Sequence, residues 1–202
     1  ENGVIYIRIL DYKTGVKDFM KEQLALGINM QMFFYLFALT DEKGGRYGGC
    51  VPAGALYIPV KYPKSADDRM ADETSAAKCI DDTMKMQGAV LDSPLIINAM
   101  EEDCRGRFIP VTFKKDGTVS AKSSVIDSGT MEKIKALAIK QIEDMGRAVY
   151  SGDFPANPLE SKKYKCTIPC GFCDYKEICG NYPDPVPRDI SDIDFEINGE
   201  KE

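Results

Sequence analysis

Apolar residues run along this chain in blocks whose spacing predicts its elements. Residues 4–10, Val-Ile-Tyr-Ile-Arg-Ile-Leu, are rich in β-branched and aromatic side chains and predict a strand buried on at least one face. Just before it stands Asn2-Gly3, the strongest short signal for a hairpin turn. A hairpin needs a strand on both sides, so the pattern predicts a fragment of a longer protein whose pairing strand lies upstream. After Thr14-Gly15 a loop and a short helical stretch lead to Gly27, and Ile28 to Leu39 predict a largely buried helix. Ala53 to Val60 predict a second strand and Ile109 to Phe113 a third, followed by a turn at Lys114-Lys115-Asp116-Gly117. From Pro63 to Gly88 the composition is polar with paired charges, which predicts a mobile insertion holding a short helix. Between Met131 and Tyr150, the residues Ile134, Leu137, Ala138, Ile142, Met145 and Val149 recur at a helical period, with charges opposite. Beyond Tyr182 the prolines 183, 185 and 187 and then alternating acids predict an extended or disordered tail. Strands mixed with helices indicate an α/β domain occupying residues 1–182.

Composition narrows the chemistry. With no His among 202 residues, a Ser-His-Asp triad, a Cys-His dyad, a His-ligated zinc and a His base are all excluded. The longest apolar run, Met30 to Leu39, is far short of the roughly 20 residues of a membrane span, so no membrane partner is expected. The net charge is −6, of which −5 falls from Asp184 onward, leaving the preceding part near neutral and compatible with a local basic groove. The start lacks the basic-then-apolar pattern of a secretion signal, and crowded cysteines in such a chain favour metal over disulfides and a cytoplasmic setting.

Three groups of residues carry candidate chemistry. Asp11 and Lys13, two apart at the end of the first strand, project to one face, where a carboxylate can bind Mg²⁺ while an ammonium orients water beside a phosphate. A surface ion pair at a strand end has the same spacing. Gln31 and Tyr35 share a face of the apolar helix, and a Gln buried among Met30, Met32, Phe33 and Phe34 needs a partner, which either the strand end with Asp11 and Lys13 or the backbone can supply. Cys166, Cys170, Cys173 and Cys179 place four thiols within fourteen residues, a pattern suited to an iron-sulfur cluster or to a zinc knuckle. Cys50, Cys79 and Cys104 are scattered and read as ordinary thiols.

The order Asp11-Tyr12-Lys13, then Gln31 and Tyr35, then Pro155 with Asn157-Pro158, then Pro169-Cys170, Cys173-Asp174-Tyr175-Lys176 and Cys179 resembles the C-terminal nuclease domain of the AddB/RexB subunit of bacterial ATP-dependent helicase-nucleases. Stretches such as Pro52 to Tyr57, Met86 to Gly88 and Ser151 to Phe154 fit between these motifs, and the resemblance covers nearly the whole chain up to Cys179. It implies a RecB-like PD-(D/E)xK nuclease fold, a central mixed sheet flanked by helices. It further implies Mg²⁺-dependent hydrolysis of DNA during double-strand break repair and recombination, beside an AddA/RexA-type helicase-nuclease subunit. Asp11 then matches a metal-binding carboxylate, Tyr12 a backbone carbonyl ligand, Lys13 the catalytic lysine, and Gln31 and Tyr35 the motif that positions DNA or catalytic groups. Cys170, Cys173 and Cys179 match three ligands of a 4Fe-4S cluster. The family's upstream acidic motif and its fourth cluster cysteine have no counterpart here, and Cys166 does not map onto the latter. The expectation is therefore a chain that is inactive alone. The rival reading is a cluster-stapled module that holds DNA or another subunit without cutting.

Overall fold

The structure is a computed structural model that describes residues 3–15, 19–60, 73–101, 106–153, 155–180 and 186–189. Its centre is β2, Val51–Pro59, whose Ala53 to Tyr57 are all buried. A strand covered on both faces reads as a continuous apolar run, not an alternating one. On one side β2 pairs in parallel with β1, Tyr6–Lys13, and on the other it runs antiparallel to β3, Gln87–Leu91. β3 pairs in parallel with the short β4, Val125–Ile126, giving a mixed sheet of order β1-β2-β3-β4. A second, two-stranded pairing joins β5, Leu159–Glu160, to β6, Arg188–Asp189.

One face of the sheet is covered by α1, Gln31–Asp41, and by the first half of α4, Ser128–Ser151, together with a 3-10 helix at Lys21–Leu26. Leu24, Phe33, Phe37, Met131, Ile134 and Ala138 pack there against Ala55 and Tyr57 of β2. Lys135 reaches Asp41 at 2.6 Å, tying α4 to the end of α1. On the opposite face, Ile96 and Ile97 of α3, Pro94–Met100, join Ile109 and Val111 over Leu56 and Val90. The helix α2, Glu73–Met84, is the short helix expected within the polar stretch. Gln87 and Gly88, placed by the sequence in that same mobile insertion, instead begin β3, while residues 63–72 of it lie outside the described residues.

Other expectations are refined. The first strand extends to Lys13, so Asp11 and Lys13 lie within it, and its outer face is exposed. Gly3 stands at φ +77°, as a turn requires, whereas Asn2 is outside the described residues. The helix begins at Gln31, three residues after Ile28. Ile109 to Phe113 form no strand. Pro110 has no N–H to give a ladder, so the segment is irregular, with Phe113 bridging Val119 and the Pro110 carbonyl accepting from Ser124 N at 2.9 Å. The Lys114 to Gly117 turn is present, with Gly117 at φ +81° and Lys114 N donating to Thr118 O at 2.8 Å. α4 is capped by Asp127, whose carboxylate accepts from Thr130 N at 2.8 Å, and ends at Gly152 in the left-handed region. Its apolar stripe is buried only as far as Ala138. Ile142, Met145 and Val149 are exposed. Of the tail, Arg188 and Asp189 are paired as β6, and residues 190–202 lie outside the described residues.

Candidate active site

Alternation along β1 turns Ile7, Ile9, Asp11 and Lys13 to one half-buried face, leaving Tyr6, Arg8, Leu10 and Tyr12 on the exposed one. Ile9 packs into the cluster formed by α1 and α4, so Asp11 and Lys13 open on that side of the sheet. The Lys13 ammonium lies 2.5 Å from an Asp11 carboxylate oxygen, each side chain about one-third exposed (36% and 32%). The pair is thus formed and reachable from solvent.

Tyr57 of β2 stands opposite Asp11 in the register. Its ring centroid lies 5.6 Å from the Lys13 ammonium, within reach of a cation–π attraction. Burial pushes the Tyr57 phenol up, and the nearby Asp11 charge adds to the effect. Tyr57 is the site residue that sequence reasoning missed. The usable signal was a tyrosine inside a fully buried strand, whose hydroxyl must find a polar outlet.

Gln31 does not have the buried setting expected of it. Because α1 begins at Gln31, its core face is taken by Met32, Phe33, Leu36 and Phe37, and Gln31 faces outward. Its partner is Tyr35, four residues on, whose hydroxyl accepts from Gln31 Nε2 at 2.9 Å. Neither the strand end nor the backbone supplies that bond. The turn into α1 is held by Asn29, at φ +62°, a conformation Asn tolerates better than most residues. Asn29 Nδ2 donates to Gln23 Oε1 at 2.5 Å, and Gln23 Nε2 donates to Tyr164 O at 2.9 Å. The start of α1 is thereby fixed against the C-terminal segment.

Although Lys13 is on a strand and Gln31 and Tyr35 are on a helix, all three line one groove of about 500 Å³, with Tyr57 as a further lining residue. The Lys13 carbonyl accepts from Val60 N at 3.0 Å, so the alternation of the strand turns the Tyr12 carbonyl to the open edge of the sheet. β1 is an edge strand of the sheet among the described residues, with the Asp11 carboxylate and the Lys13 ammonium on its half-buried face. Among the described residues no group of three Asp, Glu or Cys side chains forms around Asp11. Asp11 with Tyr12 can supply two hard oxygen donors, which suits Mg²⁺ because that ion keeps several waters and takes substrate phosphate oxygens.

The cysteines are less well assembled. Cys170, on a 3-10 turn at Pro169–Phe172, and Cys173, just after it, are half-buried, with Cys173 N donating to Cys170 O at 3.3 Å, and Cys179 is exposed. Cys166 points elsewhere. It is buried with Tyr164 beside Leu26, Ile28 and Leu159, its thiol 3.3 Å from Tyr164 O and pushed up in pKa by burial. Its backbone bridges Ser161. The thiols suit a cluster chemically, but no three potential ligands converge among the described residues, so a four-thiolate site is not assembled here.

The sequence matches the PD-(D/E)XK nuclease superfamily over residues 1–180. It is 33% identical over 182 residues to a Clostridium tetani protein described as an ATP-dependent helicase/deoxyribonuclease subunit, covering 89% of this chain and 16% of that one. Proteins with the same description from Acetivibrio thermocellus (30% identical, 89% and 16% covered) and Exiguobacterium sibiricum (28% identical, 87% and 16% covered) are similar over the same region. The chain thus spans about one-sixth of the length of these relatives (16%). No helix among the described residues is long and apolar enough to cross a membrane. A mixed sheet flanked by helices, an Asp-x-Lys pair at its edge and a match running from end to end of that architecture place this chain in the PD-(D/E)XK nuclease superfamily.

Proposed function

We propose that this domain hydrolyses DNA phosphodiester bonds as the nuclease part of a cytoplasmic helicase-nuclease that processes double-strand ends, working beside an AddA/RexA-type subunit. The observation that carries the reading is the Asp11–Lys13 pair, 2.5 Å apart, whose Lys13 lines a groove with Gln31 and Tyr35. Mg²⁺, held by Asp11 and the Tyr12 carbonyl, would supply charge that polarises the scissile phosphate. Asp11 contributes the anionic oxygen. Lys13, released from its ion pair when that oxygen is engaged, donates to the attacking water or to a phosphate oxygen as negative charge develops. Gln31 holds Tyr35 in place beside the path of the strand.

Among the described residues no group of three potential metal ligands includes Asp11, and on this reading the chain needs a further carboxylate to be active. The test is to assay Mg²⁺-dependent cleavage of single-stranded DNA by the chain alone and by a joined form, in which the chain replaces the matched region of a full-length relative. The expected result is cleavage by the joined form only. Robust cleavage by the chain alone overturns the incompleteness, and DNA binding without cleavage by the joined form replaces the nuclease reading with a binding module.

A 4Fe-4S cluster would, on this reading, be held by Cys170, Cys173 and Cys179 with a fourth ligand other than Cys166, whose thiol serves the core. Iron and acid-labile sulfide measured on the anaerobically prepared joined form should survive Cys166→Ala and fall away in Cys173→Ala. Loss of iron in Cys166→Ala would make that thiol a ligand.

A further inference from the structure

Between Asp103 and Asp127 the sequence places five bases, Arg105, Arg107, Lys114, Lys115 and Lys122, against a single acid, Asp116, in a chain whose net charge is −6. Arg105 lies outside the described residues, and Arg107 is committed to Asp81, which it meets through two hydrogen bonds of 2.8 Å. The three lysines belong to a hairpin beside β3 and β4, rooted in the core on the sheet face away from Asp11 and Lys13. Its root is fixed. Ile109 and Val111 are buried, Phe113 and Val119 bridge one another and pack against the same core, and Ser123 Oγ accepts from Thr112 N at 2.8 Å while donating to Thr112 O at 2.9 Å. Its tip is a tight loop in which Lys114 N donates to Thr118 O at 2.8 Å and Gly117, at φ +81°, donates its N–H to Lys114 O at 3.0 Å. Asp116 folds back onto Thr118, accepting from its N–H at 2.9 Å and its hydroxyl at 2.7 Å. Lys114, Lys115 and Lys122 are exposed. Lys114 has Asp116 near it, and among the described residues Lys115 and Lys122 are in no ion pair.

We propose that this hairpin is a contact for the sugar-phosphate backbone of duplex DNA, outside the catalytic groove. The proposal rests on the nuclease reading, which supplies the polyanion, and adds to it a second, non-catalytic surface. The chemistry of the tip favours that occupant over others. Its free cations are all lysines, point charges that suit phosphate, whereas the carboxylates of an acidic protein surface are matched better by the planar fork of arginine. Residues 114–118 include no aromatic ring on which an unpaired base could stack, so the surface reads charge and not sequence. Phosphate charge is densest along a duplex, at one charge per about 1.7 Å of axis, so a duplex gains more from three clustered lysines than a single strand does. Because the loop is already closed by its own hydrogen bonds, binding orders only the lysine side chains. A grip placed away from Asp11 and Lys13 adds affinity for the substrate and none of the bond-breaking chemistry.

The test uses the 202-residue chain in EDTA, with fluorescence anisotropy of a labelled blunt duplex and of one of its strands across a series of salt concentrations. The duplex should bind more tightly than the strand. The triple variant Lys114→Gln, Lys115→Gln, Lys122→Gln should weaken duplex binding about tenfold or more at about 0.1 M salt, and flatten the slope of log affinity against log salt by about 2 to 3. A second triple variant with the same change in net charge, Lys43→Gln, Lys133→Gln, Lys140→Gln, replaces exposed lysines elsewhere and should leave both nearly unchanged. Circular dichroism should match the parent in both, since no replaced ammonium holds the fold. Equal losses in the two triple variants would make the effect one of net charge and overturn the contact, as would no loss in the first. Tighter binding of the single strand would overturn the duplex as the occupant. Poly-glutamate binding more tightly than the duplex, in the parent but not in the first variant, would put an acidic protein segment there instead. Absence of duplex binding by the parent would equally overturn the contact, while Lys13-dependent cleavage by the joined form would still uphold the nuclease reading.

Discussion

Lys13→Ala and Asp11→Asn, each made in the joined form, should lower the rate of DNA cleavage by about 10²- to 10⁴-fold, the range seen when a proton-handling or charge-stabilising group is removed from a transition state. The two losses have different signatures. Asp11→Asn keeps the shape of the side chain but removes the anionic oxygen, so raising Mg²⁺ should recover part of the rate. Lys13→Ala removes the donor that meets developing charge, so added metal should not help and the loss should fall mainly in kcat. Neither change should unfold the protein. The pair is about one-third exposed, and a solvated ion pair contributes at most about 1 kcal/mol once screening is counted. Thermal unfolding of both variants should therefore stay within a few degrees of the parent. Wild-type cleavage rates in both would reduce the pair to a surface ion pair, the alternative that its spacing also allows.

The elements legible in the sequence were those whose pattern and burial coincide. β1, β2, the turn at Lys114 to Gly117 and the first half of α4 are of this kind. β3 was missed because Gly88, Ala89, Val90 and Leu91 are buried in succession, so the strand shows neither alternation nor the length that separates it from other apolar runs. Ile109 and Val111 were correctly apolar, since both are buried, but Pro110 between them forbids the ladder. The stripe on α4 keeps its helical period along the whole helix, yet the helix outruns the sheet after Ala138, and a period of 3.6 residues carries no information about where the covering layer stops. At the site, Asp11 and Lys13 could be paired from strand periodicity alone. Gln31 could not be placed, because a shift of three residues in the helix start changes what its neighbours require of it. Tyr57 is brought to Asp11 by strand pairing between segments some forty-six positions apart in sequence, a relation no local pattern contains.

Gly88→Ala should be the most damaging single methyl group that can be added to the sheet, costing roughly 2–4 kcal/mol and lowering the melting temperature by about 5–15 °C for a chain of this size. Gly88 pairs with Leu56 in the antiparallel ladder between β3 and β2 and sits at φ +132°, where L side chains are strained. A Cβ there would run into the Ala55 carbonyl oxygen and come within 3.0 Å of Leu56 Cα. Both obstacles are backbone, so no rotamer change relieves them. Gly54, on the facing strand, is built the same way, with an added Cβ 2.7 Å from Ala89 O. The two glycines let β2 and β3 approach at the point where β2 also carries β1. Forcing them apart shifts Leu56 and its neighbour Tyr57, and through the register it shifts Asp11, so residual folded protein should also show weakened cleavage in the joined form. Gly146→Ala provides the contrast. Gly146 lies in the exposed half of α4 with nothing within 4 Å of an added Cβ, so the methyl should raise stability by up to about 1 kcal/mol through helix propensity alone. Equal melting temperatures for the Gly88 and Gly146 variants would mean that the close approach of β2 and β3 does not limit the sheet.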